Sequence, residues 1–222
     1  MSLYSKIRST KGIKRLTPEE RKLIIVPSTL QDILIGILLG DGHIAQRSVT
    51  GNSRFHYGQS SIHKEYFIHV YSLFHPIFFV TGYNYSVASK LDKRSGKYHE
   101  VLSFVTMQLP CFNYFRNLFY INGVKTIPNN IYELLNPAGL AFWIMDDGSR
   151  QNDGVHLSVY AFSTECVDKF MFTLQDKFSL KCTIHYNRDN KPRIYIFKES
   201  MPTLIKLVHP YFHPSMLYKI GM

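Results

Sequence analysis

The stretch LIGILLGDGHI, residues 34–44, carries an apolar run up to a carboxylate and stops it with glycine, and LAFWIMDDGSR, residues 140–150, does the same about a hundred residues later. Around the first, Leu30, Ile33, Leu34, Ile37 and Leu38 recur at helical spacing, with Ser28 or Thr29 placed to cap the helix and Gly40-Asp41-Gly42 to end it. Around the second, Asn136 caps, Pro137 takes the first helical position, and Leu140, Phe142, Trp143 and Ile144 lead to Asp146-Asp147-Gly148. An aspartate at a helix C-terminus sits where the last carbonyls already present about half a negative charge, so it needs a positive partner. A divalent cation fits, because carboxylates and free terminal carbonyls are hard oxygen ligands. With Asp41 and Asp147 side by side, each helix would supply one carboxylate and the carbonyl of the preceding residue, Gly40 or Asp146. Gly36 and Gly40, four apart on one face, would let another helix backbone come near.

Working outward, Thr17-Pro18-Glu19-Glu20 reads as a capping box opening a short helix that Pro27 stops. Residues 53–61 alternate as a strand, 63–79 return to helical spacing, and 83–89 and 100–109 read as strands around the basic tip KLDKRSGK. Residues 111–120 form a helix after Pro110. In the second half, 155–162 alternate as a strand, 164–178 are helical, 182–186 and 193–197 form a hairpin around NRDNKP, and a helix over 202–211 closes. The order α, β, β, α, β, β, α occurs twice, which marks an internal duplication with a period of ~90 to 100 residues. The expected fold class is therefore α+β: a basic arm and short helix over 1–27, a first repeat over 28–124, a linker over 125–136 and a second repeat over 137–222. Two Gly-flanked carboxylates at equivalent places in paired repeats suggest a site built about a pseudo-twofold axis.

The 222 residues, 45% of them hydrophobic, suffice for a buried core. No apolar run reaches the roughly 18 residues a membrane span needs, since Asp32 and Asp41 bracket the longest candidate, so no membrane partner is expected. The first sixteen residues hold Lys6, Arg8, Lys11, Lys14 and Arg15 without an acid, but lack the apolar stretch of a secretory signal, which points to a location inside a cell or organelle. Cys111, Cys166 and Cys182 are odd in number and without a CxxC, arguing for buried thiols and against a disulfide framework or zinc knuckle. The net charge of +10 favours a polyanionic partner. It is uneven: residues 1–131 hold 16 basic and 7 acidic side chains, residues 132–222 hold 10 and 9. The 16 Phe and 15 Tyr fit helices packing on sheets better than base stacking.

LIGILLGDG, residues 34–42, and LAFWIMDDG, residues 140–148, resemble the two signature helices of a LAGLIDADG homing endonuclease. The first keeps Gly36 at the third place and Asp-Gly at the end; the second departs with Phe142 at the third place and Asp146 at the seventh. KTIPNN, residues 125–130, and MLYK, residues 216–219, further resemble the monomeric, intron-encoded members, and the likeness covers the chain beyond the N-terminal arm. The resemblance implies two αββαββα repeats, each with a curved antiparallel four-stranded sheet, packed through the signature helices. It implies sequence-specific hydrolysis of both strands of double-stranded DNA by a monomer, leaving short 3′ overhangs. Asp41 and Asp147 would bind two or three divalent ions, Mg²⁺ foremost, that activate water and stabilise the leaving oxygen. Lys125 and Lys219 match the basic residues that neutralise developing charge, and Gln59 the polar residue that positions water, with its counterpart expected near Tyr160. The two sheets would form a saddle following the major groove, with Arg47, Arg54, His56, Lys90, Arg94, Arg150, Arg188 and Arg193 on strands or loops where they could meet bases or phosphates. For each of these taken alone, a solvated surface charge is the competing reading.

Three rivals compete with this reading. An RNA-binding intron maturase on the same scaffold needs no nuclease chemistry, so intron RNA is a second partner to consider. A DNA-binding regulator that had lost catalysis would have lost Asp41 or Asp147, and both are present. A calcium loop built on DDGSRQND fails, because no acids follow Asp147 at alternate positions and no distal Glu closes the site. The family's habit of residing in organellar introns implies an organellar, mitochondrial location.

Overall fold

The computed structural model describes residues 16–78, 85–91 and 96–222. Arg94 and the five basic residues of the N-terminal arm lie outside the described residues. After α1 (Pro18–Lys22), the first repeat runs α2 (Ser28–Leu39), β1 (His43–Ala45), β2 (Arg54–Ser60), α3 (Lys64–Phe78), β3 (Ser86–Leu91), β4 (Tyr98–Val105) and α4 (Cys111–Phe119). A small hairpin, β5 (Tyr120–Ile121) and β6 (Val124–Lys125), and the one-turn α5 (Ile131–Leu134) lead to the second repeat. That runs α6 (Pro137–Asp147), β7 (Gly148–Gln151), β8 (Gly154–Ser158), α7 (Thr164–Phe172), β9 (Cys182–Tyr186), β10 (Pro192–Ile196) and α8 (Met201–Val208), ending in a 3-10 segment, Pro214–Ile220. The doubled order read from the sequence is present, and both four-stranded antiparallel sheets share one topology, β1-β2-β4-β3 and β7-β8-β10-β9.

The local signals act as their chemistry dictates, with one exception. The Thr17 capping box closes on Glu20, and the Asn136 side chain accepts from the Gly139 N–H at 2.9 Å with Pro137 opening α6. Neither Ser28 nor Thr29 caps α2, however. Pro27 occupies the capping position with no side-chain cap bond, its carbonyl accepts from the Leu30 and Gln31 N–H groups, and the Gln31 amide donates back to the Val26 carbonyl. β1 and β7, of three and four residues, are additional to the strands that alternation marks.

The helices α2 and α6 form the centre of the molecule. Residues 138–146 of α6 are all buried, as are Leu34 to Leu39 of α2. Their backbones touch: a Cβ built on Gly36 would lie 2.0 Å from the Gly139 carbonyl oxygen, so no larger residue fits. A Cβ on Gly40 would meet the Asp146 Cβ at 2.5 Å. Gly36 and Gly40 thus allow the close approach expected of them, and Gly139, not expected from the sequence, supplies the opposing surface. One core joins both repeats, from Phe55, Tyr57 and Phe104 on one side to Trp143, stacked on Phe170 at 4.4 Å, on the other. Burying each such ring contributes about 1.5–3 kcal/mol. Cys166 and Cys182 are buried, Cys111 is half-buried, and all are free thiols. No helix among the described residues is long and apolar enough to cross a membrane.

Candidate active site

Where α2 and α6 end, their last residues gather five ionisable groups. Gly40 closes α2 with its N–H donating to the Gly36 carbonyl, and Asp41 follows; Asp147 is the last residue of α6. Lys125 reaches in from β6. Its ammonium donates to the carbonyls of Gly40 (3.0 Å) and Gly42 (2.9 Å), at the C-terminus of α2. Lys219, buried in the final 3-10 segment, mirrors it by donating to the carbonyls of Met145 and, at 2.9 Å, Asp146 at the C-terminus of α6. Each ammonium caps a helix end whose orphan carbonyls and partial negative charge call for a cation. The Gly40 and Asp146 carbonyls, expected as metal ligands, each accept a hydrogen bond from a lysine, which leaves one lone pair on each oxygen for a second partner.

Local structure explains how the lysines arrive. Asn122 and Gly123, with φ of 51° and 81°, make the tight turn of the β5–β6 hairpin, a signal present in the sequence at the end of the segment assigned to the first repeat. The hairpin is clamped to β1: the Ile44 N–H donates to the Tyr120 hydroxyl at 3.0 Å, and Arg116, over the Tyr120 ring, donates to the Ile44 carbonyl. On the other side, Arg150 donates to the Ile220 carbonyl at 3.0 Å and so ties down the segment carrying Lys219.

The carboxylates are held high. Asp41 lies above its ordinary range, first because surrounding atoms strip water from its carboxyl; Lys219, Lys125 and a hydrogen bond from Gln59 oppose the shift. Asp147, half-buried, is raised to about 7 by the same loss of water and by the Asp41 charge, against the pull of Lys125 and Lys219. Burial pushes Lys125 and Lys219 down, while the three aspartates pull them up. Three carboxyls face two ammonium groups, and added positive charge would relieve the excess.

Asp146 is the residue sequence reasoning used least. Only its carbonyl was singled out, yet its buried carboxylate accepts from the hydroxyls of Tyr57 (2.8 Å) and Tyr66 (3.0 Å), from the Asp41 N–H (3.2 Å) and, at 3.4 Å, from the Gln59 amide. Burial, then the Asp41 charge, lifts it well above the usual carboxylate range. Gln59 is itself buried and donates to the Asp41 carboxylate. Its counterpart falls beside Tyr160, as expected, at an apolar residue that cannot position water. His43 pairs with His56 as Ser149 pairs with His156, so Gln59, three residues after His56, corresponds to the buried Val159.

The basic residues divide by strand register. Arg54 and His56 lie on the face of the first sheet opposite the core, since Phe55, Tyr57 and Gln59 point inward. Lys90 joins them through its pairing with His99 and the β3–β4 ladder. Arg193 lies on the open face of the second sheet, opposite Ser158 and His185. Arg47 and Arg188 are exposed in loops flanking these faces. Arg150 does not join them: it pairs with Val155, whose side chain is in the core, and its guanidinium is taken by main-chain carbonyls. Histidines that the sequence reading left aside complete the faces. His43 stacks on His56 with centroids 4.6 Å apart, and His156 shares a hydrogen bond of 3.0 Å with His185. Burial holds His56 neutral, with a pKa of about 4. Among the described residues, Arg54 Nε, His56 Nε2, His156 Nδ1 and Arg193 Nε are buried without a hydrogen-bond partner. Unmet polar atoms are uncommon in folded proteins; four of these lie on the two open sheet faces, where a polar ligand could meet them, and the others are Arg21 Nε, Ser53 Oγ and Trp143 Nε1.

Comparison with known proteins agrees with this geometry. Residues 31–204 match the LAGLIDADG DNA endonuclease family. The chain is 34% identical over 194 residues to the cytochrome b mRNA maturase bI2 of Debaryomyces hansenii, covering 86% of this chain and 72% of that one. It is 42% identical over 126 residues to the intron-encoded endonuclease ai4 of Dictyostelium discoideum, covering 55% of this chain and 79% of that one. Among solved structures it resembles the homing endonuclease I-WcaI bound to its DNA recognition sequence, with a TM-score of 0.83 at 24% identity over 95% of each chain, a likeness of fold.

Proposed function

The chain belongs to the LAGLIDADG DNA endonuclease family, and on that premise we propose that it is a monomeric, site-specific endonuclease that hydrolyses both strands of a long double-stranded DNA target with divalent cations, leaving short 3′ overhangs. The observation that carries this reading is the meeting of two pseudo-equivalent helix ends, each with an aspartate and a carbonyl-bound lysine. The donor set fits Mg²⁺. Asp41 and Asp147 offer hard oxygens but too few to enclose an ion, and Mg²⁺ keeps several waters and completes its shell with substrate phosphate. Among the described residues no group of three or more His, Cys, Asp or Glu forms a dedicated cage. We assign Asp41 and Asp147 as the ligands of two or three ions. When bound, the ions neutralise charge on the scissile phosphate and lower the pKa of water.

The protein's own groups do the rest. The open sheet faces bind and orient the duplex, with Arg47, Arg54, His56, Lys90, Arg188 and Arg193 as contacts. A neutral imidazole such as His56 can donate or accept toward a base edge in the major groove. Gln59, fixed beside Asp41, orients the attacking water. Water oxygen bonds to phosphorus and gives up its proton to solvent, the bond from phosphorus to the 3′ oxygen breaks, and that oxygen takes a proton from solvent to leave as a hydroxyl. Lys125 and Lys219, immobilised by helix carbonyls, present ammonium groups to the charge that accumulates on phosphate and leaving oxygen.

A second reading has its own support: the Debaryomyces relative is named a maturase. On that reading the chain binds intron RNA and assists splicing. The names of these relatives also support an organellar, mitochondrial location. The test is to incubate purified protein with a target library containing its host-gene insertion site, with Mg²⁺ or EDTA. We expect double-strand breaks in Mg²⁺ that vanish in EDTA and in the variant carrying Asp41→Asn with Asp147→Asn. Cleavage that survives either change would refute the mechanism, and no cut on the proper target would favour the maturase.

A further inference from the structure

The Asp146 network exists in one half of the site only. Its members are Asp146, Tyr57, Tyr66 and Gln59, the last touching Asp41. Strand register makes Leu157 the counterpart of Tyr57 and Val159 that of Gln59. The same offset makes Cys166 the counterpart of Tyr66, and the buried residues Tyr66, Phe67 and Val70 of α3 recur as Cys166, Val167 and Phe170 of α7. Gly40 stands where Asp146 would, next to the end of its helix, and only glycine fits there because a Cβ would overlap Asp146. All four polar members are thus replaced together, by two aliphatic residues, a thiol and a glycine. A carboxylate from the second repeat is held wholly by the first: by the α2 terminus through the Asp41 N–H, by β2 and by α3.

This arrangement fixes side chains that must not wander. Asp41 is held at its N–H by Asp146 and at its carboxylate by Gln59, while Gln59 also lies against Asp146. Among the described residues Asp147 has no counterpart of the Gln59 bond, and apolar Val159 occupies the place from which one would come. Resting on the nuclease reading above, we propose that Asp146, gripped by Tyr57 and Tyr66, is a positioning residue that aligns Gln59 and Asp41 in one half-site alone, so that the two DNA strands are hydrolysed at unequal rates. The strand whose scissile phosphate lies on the Gln59 side is cut first, and the nicked duplex is the intermediate from which the second cut is made. Asp146 acts through the two groups it holds, the Asp41 main chain and the Gln59 amide.

The experiment is strand-resolved cleavage of a duplex target carrying a different end label on each strand, in Mg²⁺, with the full chain. The unaltered protein should accumulate a nick in one and the same strand before the double-strand break. Gln59→Ala, and separately Tyr57→Phe with Tyr66→Phe, should slow that strand by roughly ten-fold or more, the scale of misplacing a catalytic group, and change the other by less than two-fold. A variant that merely folds less well loses both strands in proportion and leaves their ratio unchanged, so the ratio reports positioning and thermal melting reports folding. Equal rates for both strands in the unaltered protein, or variants that slow both strands alike while melting normally, would overturn the proposal and leave the nuclease reading standing. Absence of any cut on the proper target in Mg²⁺ would overturn the nuclease reading and this proposal with it.

Discussion

Replacing Gly36 by alanine sets two physical effects against each other. Helix propensity favours the change: alanine in a helix interior is about 1 kcal/mol better than glycine. Packing opposes it. The new methyl would lie 2.0 Å from the Gly139 carbonyl oxygen and 2.9 Å from its Cα, whereas carbon contacts settle at roughly 3.5–4.0 Å. The obstacle is main chain in a buried helix, so nothing can rotate aside and α2 and α6 must separate by on the order of 1 Å. Overpacking of this kind costs about 1–3 kcal/mol and occasionally more; with backbone on both sides the upper end applies, leaving a net loss of about 2 kcal/mol after the propensity gain. In a domain of this size each kcal/mol moves Tm by roughly 2–4 °C, so calorimetry should show a fall of about 4–8 °C. Gly58→Ala, whose Cβ would meet its nearest neighbour at an ordinary 3.4 Å, serves as the control and should leave Tm almost unchanged. A Gly36→Ala protein as stable as the parent, or more so, would refute the claim that the two helix backbones touch.

Other predictions follow from the charges. Asp147 is raised to about 7 from an ordinary 3.8, so between those values the folded protein keeps a proton that the unfolded chain has lost. The stability this group contributes is complete below pH 3.8 and disappears as pH rises through 7. In EDTA, urea unfolding of the parent relative to Asp147→Asn should therefore worsen across that window; a difference independent of pH would contradict the assigned environment. DNA affinity should fall steeply with salt, and Arg193→Ala should reduce the slope of log K against log salt by about 1 if its contact is to phosphate. Binding titrations at several salt concentrations give the slope, and an unchanged slope would place Arg193 on a base or off the DNA.

Much of this architecture was legible because the chain states it twice. The apolar spacing before Asp41 and Asp147, the Asn136-Pro137 helix start and the Thr17 capping box are local, and each holds in the structure. The three-residue β1 belongs to the doubled order but had no range of its own, because it is too short for any alternation to register. Capping by Ser28 or Thr29 failed because Pro27 already occupies the extended position before the helix. At the site, Asp41, Asp147, Lys125, Lys219 and Gln59 come together as expected, though the lysines go first to helix carbonyls that had been assigned to metal. Asp146 was overlooked as a side chain because its partners lie 80 to 105 residues away, beyond the reach of any motif. Arg150 lies off the open face for the related reason that a one-residue step along β7 decides which face a side chain serves.

The central claim is that two helix ends jointly hold cations over a DNA backbone, and crystals of the protein with its target grown in Mn²⁺ test it most directly. Anomalous scattering should place Mn²⁺ between the carboxylates of Asp41 and Asp147, each ion also touching a scissile phosphate, with Lys125 and Lys219 still on their helix carbonyls. Mn²⁺ bound elsewhere, with the two carboxylates in contact with neither metal nor the scissile phosphates, would contradict the account.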